Sequence, residues 1–110
     1  TPQVTSAVMG LVRPVVLRCF KDVPDAAFAE DAVVVTRTVV TIDEAGKLTV
    51  TELGPQSRGI DRAEPATATA IDAAHECVRA GTAGLSTQVA NPAVAQTVLV
   101  FPIQPQKYRR

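Results

Sequence analysis

The chain has 110 residues, with 11 Lys+Arg balanced by 11 Asp+Glu, 46% hydrophobic residues and only 4% aromatic ones. That size fits one domain, and a core built mostly from alanine and valine buries little apolar area per ordered residue, so a covalent staple would matter. The zero formal charge argues against a nonspecific nucleic-acid binder, which runs on phosphate neutralisation and carries a basic excess.

No run approaches the roughly 18 apolar residues of a membrane span. Thr1-Pro2-Gln3 opens without the basic region of a signal peptide. The missing initiator Met points to a processed product or, preferably, a domain excised from a longer chain. The two cysteines, Cys19 and Cys77, read either as unrelated buried thiols or as one disulfide of an oxidising compartment. C-x-x-C spacing is missing, so a zinc site is not expected.

Ser6 to Lys21 carries Val8, Val12, Val15, Val16 and Cys19 at three- and four-residue spacing, the helical period. Thr5 or Ser6 serves as N-cap. Pro14 cannot donate to the Gly10 carbonyl, so a bent helix is expected. Asp22 to Asp31 reads as an acidic linker, without the D-x-D-x-D-G pattern of a calcium loop.

Ala32 to Leu53 reads as a β-hairpin: a β-branched strand, a turn at Asp43-Glu44-Ala45-Gly46, and a second strand. Val34, Thr38, Val40 and Ile42 share one parity, and Val33, Val35 and Val39 the other. Apolar residues on both faces imply burial on both sides or a second face used for contact. Gly54 to Glu64 reads as a polar loop in which Arg58 and Arg62 are solvated cations. Thr69 to Ala80 is the second helix, with Thr69-Ala70-Ile71-Asp72 as a capping box, Ile71, Ala74 and Val78 as its buried stripe, and Gly81 as its stop. His75 lies near Asp72 and Glu76, but a lone histidine without a second ligand pair is a poor metal site. A nucleophile, phosphate loop or spaced acid pair is missing, so neither catalytic residue, metal nor cofactor is expected.

Thr82 to Ala95 reads as a loop with a turn at Asn91-Pro92, and Gln96 to Ile103 as the last strand. Pro102 cannot donate to a ladder, so this strand is expected either to lie at an edge or to be ending there. Gln104 to Arg110, with Tyr108 between basic residues, reads as a polar tail.

The ordered set of motifs resembles TonB C-terminal-like domains, and among them the AgmX type of gliding motility. Arg18-Cys19-Phe20-Lys21 resembles the R-x-C-Y/F-E/K end of that family's first helix. Val39 to Val50 is similar to its hairpin, Glu76-Cys77-Val78 to its second helix, and Val98 to Ile103 to its final strand. The pattern departs at Leu85-Ser86-Thr87, where the family carries an aromatic-Pro segment, and at Phe101, where it carries Tyr. The resemblance implies an α+β fold, with two helices on one face of a three-stranded antiparallel sheet in the order α-β-β-α-β, spanning 1–110 as one domain with 105–110 as tail. It implies a Cys19–Cys77 disulfide.

It also implies a non-enzymatic periplasmic protein-binding module of an envelope energy-transduction, transport or motility system, tethered to the inner membrane through a missing N-terminal region. Its partner would be a segment of an outer-membrane or envelope protein. That segment would add to the free edge formed by Gln96, Thr97, Val98, Leu99, Val100 and Phe101. A self-assembly domain that homodimerises through the same edge is the alternative.

Overall fold

A computed structural model describes residues 2–24, 27–89 and 95–103. The chain forms α1 (Pro2–Cys19), β1 (Phe28–Ile42), β2 (Lys47–Glu52), β3 (Gln56–Ile60), α2 (Pro65–Thr82), β4 (Leu85–Gln88) and β5 (Ala95–Ile103). The α+β class and the antiparallel sheet are as expected, but among the described residues the sheet has five strands rather than three. Across it the order is β4-β2-β1-β5. β3 continues the line of β2 along the other half of β1.

One extra strand, β3, arises from the length of β1. β1 runs 15 residues, whereas β2 runs only 6, so half of one β1 edge would be unpaired without β3. Gln56-Ser57-Arg58-Gly59-Ile60 has no apolar alternation and is a strand because that edge needs partners. The acidic stretch read as linker is likewise strand from Phe28 onward, with a register shift between Phe28 and Val33. Leu85–Gln88, read as loop, pairs with β2.

The expected hairpin is present, with Ile42 opposite Leu48 and Val40 opposite Val50. Asp43 organises its turn: Oδ1 accepts from the amides of Ala45 (3.0 Å) and Lys47 (2.9 Å), while Gly46 adopts φ 81°.

α1 starts earlier than expected and continues through Pro14. That proline is exposed, and Gly10 offers open space one turn before it, so the ring meets no packed neighbour there. α2 also starts earlier. Glu64 is its N-cap without a side-chain cap bond, and Pro65 opens the first turn. A proline there has no amide to leave unsatisfied and its φ is already helical. The expected capping box does not form, because the Thr69 hydroxyl instead donates to the Pro65 carbonyl (3.0 Å).

Both helices cover the same sheet face. Val8, Val12, Val15 and Val16 of α1 and Ile71, Ala74 and Val78 of α2 form one core with the even positions of β1 and β2, including Val34, Val40, Leu48 and Val50. Gly81 lies inside α2 rather than ending it. A Cβ there would sit 2.8 Å from Val15 Cγ1, so this glycine sets how closely the helices approach.

A paired substitution checks that contact. Gly10→Ala is expected to stabilise by about 0.5–1 kcal/mol through helix propensity. Gly81→Ala gains the same propensity but overpacks against the stiff Val15, a cost of about 1–3 kcal/mol. It is therefore expected to be neutral to destabilising. Urea denaturation of both variants reads the difference; equal gains would show that the helices are not in tight contact at Gly81.

Candidate partner-binding edge

β5 lies antiparallel against β1, with Ala95 opposite Ile42 and Ile103 opposite Val34. It pairs with no other strand, and its second edge is free, among the described residues. Backbone alternation fixes which groups face outward. Arg37 accepts from the Leu53 amide (2.8 Å), so the odd residues of β1 direct their amides and carbonyls toward β2 and β3. The even ones therefore face β5 and bond to the residues directly opposite them, Thr97, Leu99, Phe101 and Ile103. The backbone groups of Gln96, Val98 and Val100 are left pointing to the open edge. Pro102 belongs to the same outward set, so its missing N–H costs the ladder nothing.

The alternation also divides the side chains. Ile103 is buried and Leu99 half-buried on the helix side, where the Leu99 carbonyl also accepts from the Thr38 hydroxyl (3.3 Å). Val98 and Val100 are 53% and 57% exposed on the opposite face. There they adjoin Val39 and Arg37 of β1, and Pro102 adjoins Val35. The second apolar parity of the hairpin thus becomes an apolar band that no helix among the described residues covers. Of the six edge residues read from the sequence, all six lie in β5. The expected turn at Asn91-Pro92 and the tail from Gln104 fall outside the described residues.

Cys19 and Cys77 are bonded, with Cα atoms 5.6 Å apart. The bond joins the end of α1 to α2, with Cys19 buried and Cys77 exposed.

His75 is held by the fold rather than joined to the nearby acids. Its Nε2 lies 3.2 Å from Ser57 Oγ and its ring packs 5.8 Å from that of Phe20. Burial, with help from the Arg62 and Arg79 charges, lowers its pKa against the opposing pull of Asp72. The acids are engaged elsewhere: Asp72 pairs with Arg62 and Glu76 with Arg79, each at 2.6 Å. Among the described residues no group of three or more His, Cys, Asp or Glu is placed to hold a metal ion. A cleft lined by Pro24, Ala27, Asp61, Glu64 and Thr67 has a volume of about 130 Å³, well below the ~300 Å³ at which small-molecule pockets begin. No described helix is long and apolar enough to cross a membrane.

One residue that sequence reasoning passed over shapes the sheet on the other side of β1 from β5. Glu52 is only 3% exposed. Its Oε1 accepts from the amides of Arg37 (2.9 Å) and Gly54 (3.1 Å) where pairing passes from β2 to β3. A signal was present, since Glu52 shares the parity of the buried Leu48 and Val50.

No protein-family model, curated protein or solved structure matches this chain.

Proposed function

We propose that this chain is a non-enzymatic interaction module of an envelope-spanning energy-transduction or motility system, working in the periplasm and binding an extended partner segment by strand addition at β5. The observation that carries this reading is the row of backbone groups at Gln96, Val98 and Val100, unpaired among the described residues, beside two exposed valines. Such a row is a template for another strand: backbone bonds supply affinity and alternate side chains supply register. Because several bonds share a load along the strand, the contact suits a force-transmitting link. The Cys19–Cys77 bond is compatible with an oxidising compartment, and the ordered motifs resemble TonB C-terminal-like domains.

NMR titration with peptides from outer-membrane proteins tests the edge. The amides of Gln96, Val98 and Val100 are expected to shift and gain hydrogen-exchange protection. Those of Thr97, Leu99 and Phe101, already bonded to β1, should change little. Val98→Pro removes one outward donor while sparing the ladder. It should weaken binding by about 2- to 13-fold, the equivalent of one net hydrogen bond. If no peptide moves the three outward amides, the strand-addition reading fails.

A second reading rests on the same exposed valines: antiparallel pairing of two β5 strands would place Val98 and Val100 of each copy together. Sedimentation over a concentration series separates the readings, and a strict monomer counts against self-assembly.

A further inference from the structure

The open sheet face carries charge as well as apolar side chains. Strand alternation places three cations there: Arg37 on β1, Arg58 opposite Val33, and Lys47 on the same parity of β2 as Thr49 and Thr51, all exposed. The described carboxylates lie mainly elsewhere. Glu52 is turned to the helix side, Asp43 is bound into its turn, Asp72 and Glu76 are paired on α2, and Asp31 lies in the irregular start of β1. The chain is neutral overall, but this face is basic.

We infer that the segment received by β5 is acidic, with carboxylate side chains alternating with apolar ones and one carboxylate meeting Arg37 across Val100. The inference rests on the strand-addition reading above. Arg37 stands directly opposite Val100, and strands repeat at about 4.8 Å, so an added strand lies roughly 10 Å from β1. An arginine and a glutamate side chain together span that gap. Arg58 is beyond β1 on the far side, at least one strand spacing further, outside the Debye length of about 8 Å at physiological salt. Arg37 is therefore the selecting group, and Arg58 and Lys47 add only background potential.

Among the described residues Arg37 takes part in neither ion pair. Its charge is felt by Glu52 through the sheet, but Glu52 is buried on the other face and does not cover the guanidinium. An acidic partner supplies the missing counter-charge. A second copy of this chain does not, because it presents another Arg37. The two guanidinium-bearing positions of such a dimer would be about three strand spacings apart, roughly 14 Å, where salt screens their repulsion. Self-pairing is thus not opposed by charge, but it gains nothing from charge either.

The test uses two peptides of the length of β5, 9 residues, alternating valine with either glutamate or lysine, titrated into the intact disulfide-bonded chain. Shifts at Gln96, Val98 and Val100 report strand addition, and Kd reports charge selection. The glutamate peptide is expected to bind about 3- to 10-fold tighter at low salt, the range of a surface ion pair gained against a repulsion. The ratio should fall toward unity at ~1 M salt, where the Debye length is about 3 Å. Arg37→Gln should bring the ratio close to unity at low salt without changing which amides move. Equal affinities for the two peptides, with the edge amides shifting, would overturn the charge inference and leave strand addition standing. No shift with either peptide would overturn both.

Discussion

Loss of the Cys19–Cys77 bond is expected to lower the unfolding free energy by up to about 4 kcal/mol, the chain-entropy value for a loop of this length. The cysteines are 58 residues apart, so the bond restricts more than half of the unfolded chain. A domain of this size has roughly 5–15 kcal/mol of stability in total, and its core holds few large side chains. The largest fully buried ones are Phe20, Leu48 and Ile71, and most of the others are valines. The measurement is urea denaturation of Cys19→Ala/Cys77→Ser against the parent. Alanine suits the buried site and serine the exposed one. With a slope of about 1–3 kcal/mol per molar urea, the full loss of about 4 kcal/mol would move the midpoint down by more than 1 M. Reductant should lower the parent to the same midpoint and leave the double variant unchanged. Two titratable thiols in the native protein would refute the bond itself.

The elements legible in the sequence were those whose signal is local. β-Branched residues and the Asp43–Gly46 turn defined the hairpin's two strands and its turn, and three- and four-residue spacing defined the buried stripes of both helices. β3 and β4 were not legible, because neither carries a pattern of its own. Both are short, largely exposed segments that fill edges left by β1 and β2. Tertiary pairing decided them, and propensity was silent.

The helix boundaries failed for a different reason. Thr69 offered a familiar cap, but Pro65 started α2 a turn sooner. At the edge, Pro102 was informative because an outward-facing position is where a strand tolerates proline. The odd-parity valines of β1 pointed to a second face, and Arg37, lying between Val35 and Val39 on that parity, was the part of the signal left unused.

Glu52 gives the other large expected effect, and its sign depends on what replaces the carboxylate. Glu52→Ala removes the acceptor of the Arg37 and Gly54 amides; each buried donor left unsatisfied costs about 1–3 kcal/mol. Glu52→Gln keeps an acceptor oxygen in the same place and removes the charge. Among the described residues Oε2 has no hydrogen-bond partner, so the ionised form is poorly compensated. Burial raises the pKa above 4.5, outweighing the amide bonds from Arg37 and Gly54 and the Arg37 charge, which lower it.

The folded state therefore holds a proton that the unfolded state releases between the unfolded value near 4.5 and the raised folded value. The stability this adds is fully present below the unfolded pKa and is lost as pH rises through the folded one. Urea denaturation across mildly acidic to neutral pH, taken as the difference between Glu52→Gln and the parent, isolates this group from the other carboxylates. The glutamine variant should gain on the parent as pH rises, and at neutral pH it should equal or exceed it, while Glu52→Ala stays below both. If glutamine is as damaging as alanine, the negative charge rather than the acceptor oxygen holds the β2–β3 junction together. A difference that shrinks with rising pH would show that the folded pKa is depressed and the carboxylate well compensated.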